Sequence, residues 1–135
     1  MSKTVYETFA TDKEAEESGI KLNYGDFSFI VARAGGANKR FQKLLERRLA
    51  PHQRALQAGL MDEEQARRIL VETFAETIMK GWDNVTDRGG KLIAYSKEAC
   101  VELFMDLPDL FEEIREQAAK ASNFRRAVRE ADVLD

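Results

Sequence analysis

Cysteine and histidine are almost absent from this chain, which has one of each, Cys100 and His52, among 135 residues. A single cysteine cannot form an intramolecular disulfide, and no cysteine-based metal site can be assembled from it. Cys100 falls in an apolar helical pattern, so we expect a buried thiol. His52 lies beside Pro51 in a basic stretch without a companion ligand, so we expect a solvated side chain and no metal site.

The chain also lacks a long hydrophobic run. No stretch approaches the roughly 20 apolar residues that a membrane-spanning helix needs. The polar segment of residues 1–17 has no apolar core of the kind found in signal peptides. We therefore expect a cytoplasmic protein without a membrane partner. Hydrophobic residues make up 44% and charged residues 33% of the chain, a composition and length that predict one globular domain, residues 1–135.

Hydrophobic periodicity predicts a mainly α fold of the α+β class, with about five helices and an N-terminal β-hairpin. Apolar and polar residues alternate on both sides of Gly25-Asp26, which predicts the hairpin at about residues 19–33. Apolar residues then recur at helical spacing, which places the helical part at about residues 37–125. The termini, residues 1–18 and 126–135, are polar and are expected to be loosely ordered, with a short helical turn as the alternative for residues 11–17.

Capping and breaking residues mark the ends of the predicted helices. Asp62 and Ser96 each precede an apolar helical pattern and are typical N-caps. Gly81 is expected to end the helix that begins after Asp62. The connector that follows is expected to contain an Asx-type turn at Asp87. Pro108 suits the first position of the next helix, where its missing N–H has no intrahelical partner to lose.

No set of residues in the chain matches a catalytic or cofactor-binding pattern. The residues after Asp83 lack the glycine and the glutamate that a calcium-binding EF-hand requires at fixed positions. Gly35-Gly36 belongs to neither phosphate-binding glycine fingerprint, so a hinge is the better interpretation. Adjacent acids such as Glu112-Glu113 point in different directions on a helix and do not form an acid–base couple. We therefore expect a non-enzymatic protein with no catalytic residues and no cofactor.

Charge is distributed unevenly along the chain. The formal net charge is −3, yet residues 33–54 contain seven basic residues and one acidic residue. A helix over this window would present a basic face made of Lys39, Arg40, Lys43, Arg47 and Arg48. Such a face can bind phosphates or an acidic protein, or it can be an ordinary solvated surface. No recognition-helix pattern or stacking aromatics accompany it, so nucleic acid is the less favoured partner.

A succession of turn and packing motifs runs through the second half of the chain. It comprises Gly81-Trp82-Asp83-Asn84-Val85, Asp87, Gly90, Tyr95-Ser96, Leu103-Phe104, Leu107-Pro108-Asp109-Leu110-Phe111, Ile114, Ala118 and Phe124. Together with the hairpin and the Arg33-Ala34-Gly35 segment that follows it, this succession resembles the tail assembly chaperones of long-tailed, siphovirus-type phages and prophages. The resemblance covers about residues 19–124.

The resemblance implies a non-enzymatic factor that binds the tape-measure protein, keeps it soluble and helps recruit the major tail (tube) protein. Such a factor is expected in the host cytoplasm and not in the finished virion, and self-association is an open alternative. A helical client would fit an apolar groove between helices. The residues hypothesised to line that groove are Trp82, Leu92, Tyr95, Phe111 and Phe124. The alternative function is a small nucleic-acid-associated phage or prophage factor that uses the basic face.

Overall fold

The computed structural model describes residues 2–125 and confirms the mainly helical α+β architecture. These residues form seven α-helices, two 3₁₀ turns and one three-stranded sheet. The helices are α1 (Val5–Phe9), α2 (Lys13–Ser18), α3 (Arg40–Leu49), α4 (Gln53–Gln57), α5 (Glu63–Thr77), α6 (Lys97–Asp106) and α7 (Pro108–Ala119). The strands are β1 (Ile20–Asn23), β2 (Ser28–Val31) and β3 (Met79–Asp83), and the 3₁₀ turns are Ala50–His52 and Ala121–Phe124.

Strands β1 and β2 form the predicted hairpin. They pair antiparallel, with Ile20 opposite Val31 and Leu22 opposite Phe29. The turn uses Gly25 at φ +93°, a left-handed conformation that residues with a side chain seldom adopt. Phe29 and Val31 are fully buried and direct one face of the hairpin into the core. The hairpin therefore gains its stability by packing, as an isolated two-stranded hairpin is marginal in water.

The third strand corrects the sequence prediction, because Gly81 does not end a helix. Helix α5 already ends at Thr77, and β3 pairs antiparallel with β2 to give the strand order β1-β2-β3. A Cβ at Gly81 would lie 3.6 Å from the Ile30 side chain, so the residue packs closely against its strand neighbour. Pairing with β2 and burial of Met79 outweigh the local helix-ending signal of Lys80-Gly81.

The N-terminal segment contains two short helices, α1 and α2. Helix α2 overlaps the alternative helical turn at residues 11–17, whereas α1 was not predicted. The Asp12 side chain caps α2 by accepting a hydrogen bond from the Ala15 amide at 3.1 Å. The Asp12 amide donates to the carbonyl of Phe124 at 2.7 Å, which fastens this segment to the last 3₁₀ turn. The prediction for residues 126–135 lies outside the described residues.

The hydrophobic core lies between the sheet and α5, α6 and α7. Phe74 of α5 has no accessible surface and packs against the rings of Phe104 and Phe111, with centroids 6.3 and 5.4 Å away. Cys100 is buried in the same cluster, as its apolar helical position predicts. Among residues 2–125, no helix combines the length and the apolarity needed to cross a bilayer.

The predicted caps that position α5, α6 and α7 are present. The Asp62 carboxylate accepts a hydrogen bond from the Gln65 amide at 3.2 Å, and the Ser96 hydroxyl accepts one from the Ala99 amide at 3.0 Å. Pro108 occupies the first turn of α7. The break before Pro108 turns the chain between α6 and α7, and both helices then cover the core.

Candidate functional site

The five residues predicted to line a client groove do not share one open surface. Trp82, Phe111 and Phe124 lie in the core, with 7%, 1% and 0% of their surface exposed. Tyr95 is half-buried and packs on the core, while Leu92 is 67% exposed. An enclosed ring cannot contact a client unless the fold opens, so only Leu92 and the accessible part of Tyr95 belong to the surface.

Trp82 instead anchors the connector between β3 and α6. Its indole N–H donates to the carbonyl of Ile93 at 2.8 Å. Its ring packs edge-on against Tyr95 with centroids 5.0 Å apart. A buried indole needs a partner for its single donor, and this carbonyl provides it. The buried Trp82 side chain therefore holds the connector against the core through its hydrogen bond to Ile93.

The predicted Asx-type turn at Asp87 holds the outer part of this connector. The Asp87 carboxylate accepts hydrogen bonds from the amides of Gly89 and Lys91, each at 2.9 Å. Gly90 has φ +85°, which closes the turn. The carboxylate is thus satisfied by the backbone. Within the part of the chain that the structure describes, no group of His, Cys, Asp or Glu side chains could hold a metal ion.

The fixed connector and α6 enclose an apolar cleft of about 340 Å³. Its lining consists of Thr86, Asp87, Arg88, Ile93, Ala99, Glu102, Leu103, Asp106 and Leu107. Ala99 and Leu103 are four residues apart and form an apolar stripe on α6, and Leu107 is the C-cap residue that follows this helix. Leu107 is 49% exposed at the end of this stripe, and the exposed Leu92 precedes Ile93 on the opposite wall. We call this surface the α6 cleft.

Groups with a raised pKa are explained by packing. Burial raises the pKa of Cys100 to about 12. Burial, together with the charge of a Cys100 thiolate, raises the pKa of Tyr95 to about 12. Burial, together with the hydrogen bond from the Tyr24 hydroxyl to the Glu113 carboxylate at 2.7 Å, raises the pKa of Tyr24. All three groups stay neutral near pH 7, and none becomes a stronger nucleophile or base.

An acidic stripe runs along α6 at the α6 cleft, whose lining includes Glu102 and Asp106, and sequence reasoning missed it. Glu98, Glu102 and Asp106 are spaced by four residues and are exposed on one face of α6. They make no ion pair within residues 2–125. The signal was available, because residues 98–113 contain six acidic residues and no basic one. We call these three residues the acidic stripe.

The predicted basic face is formed by α3 and the residue before it, with one exception. Lys39, Arg40, Lys43 and Arg47 are exposed. Arg48 instead donates to the Glu76 carboxylate of α5, and to the Thr73 hydroxyl at 3.2 Å.

The Arg48 pair belongs to a small network that joins three helices. Lys97 of α6 also lies 3.3 Å from the Glu76 carboxylate. The hydrogen bond from Arg48, more than the one from Lys97, lowers the pKa of Glu76 despite some desolvation. A shallow cavity of about 270 Å³ beside this network is lined by Arg40, Lys43, Leu44, Arg47, Glu76 and Thr77. Arg48 therefore links α3 to α5, while the other four residues of the basic face are exposed to solvent.

Comparison with known proteins gives one relationship. No curated protein and no solved structure matches the chain. The model of the YdaY prophage protein family matches residues 36–134, a span that includes α3 to α7, both walls of the α6 cleft and the basic face. Since this span is most of the 135 residues, the chain belongs to the YdaY prophage protein family.

Proposed function

We propose that this prophage protein is a tail assembly chaperone. In this role it binds the tape-measure protein of its own prophage in the host cytoplasm, keeps it soluble and helps recruit the major tail protein. It makes and breaks no covalent bond. The prophage family supports the setting, and the resemblance of residues 19–124 to tail assembly chaperones supports the role. The absence of an activated nucleophile or base among the described residues is compatible with a binding protein.

The α6 cleft is the observation that carries the proposal. A client helix presents large apolar side chains at spacings of three and four residues, and such a stripe fits a groove lined by Leu103, Leu107 and Ile93. The cleft walls are held by the Trp82 hydrogen bond and the Asp87 turn, so little ordering is needed on binding. The client site proposed from the structure thus keeps Leu92 and replaces the buried aromatics by residues of α6.

The contribution of the two exposed leucines beside the cleft to the binding free energy can be estimated. Leu92 is 67% and Leu107 is 49% exposed in the free chain. Complete burial of a leucine side chain contributes about 1.5–3 kcal/mol. Covering the exposed part of both leucines therefore contributes about 2 kcal/mol, roughly thirtyfold in affinity.

The direct experiment is co-expression of the chain with the tape-measure protein encoded by the same prophage. We expect the wild-type chain to keep the tape-measure protein soluble and to co-purify with it. The variant L92S/L107S should lose most of this capture while it keeps its melting temperature. The variant L56S/L60S is a matched control, because its two exposed leucines lie in and just after α4, whereas Leu107 lines the cleft and Leu92 adjoins the lining residue Ile93. Equal capture by both variants, or none by the wild-type chain, would refute the proposal.

The second candidate is a nucleic-acid-associated prophage factor, and the exposed bases of α3 favour it. Binding through four phosphate contacts would give an affinity that falls steeply with salt, with a log–log slope of about −3 to −4. A titration of duplex DNA of random sequence with the chain between low and physiological salt separates the two functions. The chaperone proposal predicts no such salt-dependent DNA binding, and the variant K39E/K43E/R47E should then behave as the wild type does.

A further inference from the structure

Two segments of this chain carry opposite formal charge. Residues 33–54 have a net charge of +6, and residues 98–113 have a net charge of −6. The first segment contains α3 and the second contains α6 with the start of α7. The two segments lie on different helices, and the lining of the α6 cleft includes no residue of α3. The two surfaces therefore lie on different parts of the chain, and Glu102 and Asp106 of the second surface also line the α6 cleft.

The charges on both surfaces are largely unpaired within one copy. Lys39, Lys43 and Arg47 are exposed, and none of them takes part in an ion pair within residues 2–125. The same holds for the acidic stripe. Like charges on neighbouring turns of a helix repel one another. A partner of opposite charge would relieve this repulsion on both helices at once.

The spacing of the two sets of charges also agrees. Lys39, Lys43 and Arg47 follow one another at intervals of four residues, as the members of the acidic stripe do. Four residues of an α-helix rise about 6 Å, so each set forms a row of three charges with about the same repeat. Two such rows laid side by side bring every base next to an acid. Three matched pairs specify the register of two helices better than a diffuse patch of charge does.

We infer that the α3 face of one copy binds the acidic stripe on α6 of a second copy. The contact joins two different surfaces, so a pair of copies still has one free α3 face and one free α6 face. Repetition of the contact gives head-to-tail assemblies that grow beyond a dimer. The inference does not depend on the proposed function. On α6 Glu102 and Leu103 point about 100° apart, but Glu102 and Asp106 also line the α6 cleft. A client in the cleft and a second copy on the acidic stripe would therefore meet at these two residues.

Charge-swapped variants test this contact directly. The variant K39E/K43E/R47E makes both surfaces acidic, and the variant E98K/E102K/D106K makes both surfaces basic. All six side chains are exposed, so both variants are expected to fold, which circular dichroism and thermal melting check. Matched controls apply equal changes of charge at exposed positions elsewhere: K13E/K91E/K120E and E17K/D26K/E116K.

Sedimentation equilibrium of the full chain at low salt gives the readout. The wild-type chain should show a weight-average mass that rises past the dimer with concentration, and raising the salt to physiological strength should weaken association roughly tenfold. Each swapped variant should be monomeric alone, and an equimolar mixture of the two should associate again because both contacts are restored. Each control variant alone should associate as the wild type does.

Three results would overturn the inference. They are a wild-type chain that stays monomeric at low salt, a closed dimer that does not grow, and a mixture of swapped variants that stays monomeric. Capture of the tape-measure protein by a monomeric wild-type chain would remove this inference and leave the proposed function standing. Self-association of the chain without capture of the tape-measure protein would support this inference and refute the proposed function.

Discussion

Replacing Glu16 with glutamine should lower the free energy of unfolding by about 2–3 kcal/mol. Glu16 lies in α2 and is 2% exposed. Its carboxylate accepts hydrogen bonds from the Arg33 guanidinium at 2.9 Å and from the Ala37 amide at 2.7 Å. Removing one partner of a fully buried ion pair costs about 3–5 kcal/mol, because the other charge stays buried. The Arg33 side chain is 18% exposed, so partial solvation of its charge reduces this cost.

Thermal unfolding followed by circular dichroism at neutral pH measures the effect. A chain of this size loses about 3.5 °C of melting temperature per kcal/mol, so E16Q should melt about 7–10 °C below the wild type. The variant E17Q changes the neighbouring, exposed glutamate and should stay within about 0.5 kcal/mol of wild type. The variant E16M/R33M removes both charges and should be less destabilised than E16Q. A shift below about 2 °C for E16Q, or a double variant that melts lower, would refute the reasoning.

The same pair predicts a pH dependence with a definite sign. Burial alone would raise the pKa of Glu16, but hydrogen bonds from Thr11, Ala37 and Arg33, with the charge of Arg33, hold this pKa below 4.5. The contribution of Glu16 is therefore complete above pH 4.5 and is lost as the pH falls through the folded-state pKa. The difference in melting temperature between wild type and E16Q should be constant near neutral pH and shrink on acidification below 4.5. A difference that stays constant or widens there would contradict this assignment.

Three further predictions concern the core. F124A removes a ring with no accessible surface and should lower the free energy of unfolding, measured by chemical denaturation, by about 3–5 kcal/mol. A decrease below about 1 kcal/mol would mean that the last 3₁₀ turn does not pack against the core. Cys100 is buried and its pKa is raised to about 12, so a thiol reagent at pH 8 should label it only after denaturant is added, whereas rapid labelling of the native chain would contradict its burial. W82F removes the hydrogen bond to the Ile93 carbonyl and should lower the free energy of unfolding by about 1–3 kcal/mol. A free energy of unfolding equal to that of the wild type would show that the connector does not depend on this bond.

Features that depend on neighbouring residues could be predicted from the sequence. The Asp62 and Ser96 caps act on amides three residues away, and the Asp87 turn acts on amides two and four residues away. The hairpin follows from alternation around a glycine turn. Each of these features is determined by the chemistry of one short segment, so a pattern in that segment is sufficient to identify it.

Features that depend on distant residues could not be predicted in this way. Strand β3 exists because it pairs with β2, some fifty residues earlier, and Lys80-Gly81 alone looks like a helix end. The packing of α2 on the rest of the fold depends on contacts from Glu16 to Arg33 and Ala37. Phe124 could be assigned to core or surface only once the helices around it were placed, whereas the helical spacing of Phe111, Ile114 and Ala118 is sufficient to predict their burial. The acidic stripe is the opposite case, because residues 98–113 contain six acidic residues and no basic one, a pattern from which the stripe could have been predicted.

The binding affinity of the purified chain for the tape-measure protein of the same prophage tests the central claim most directly. Titration in solution should show saturable binding that L92S/L107S weakens roughly thirtyfold, the effect expected from about 2 kcal/mol of apolar burial at the α6 cleft. The control variant L56S/L60S should bind as the wild type does. Absence of binding by a folded wild-type chain, or an affinity that L92S/L107S leaves unchanged, would contradict the account.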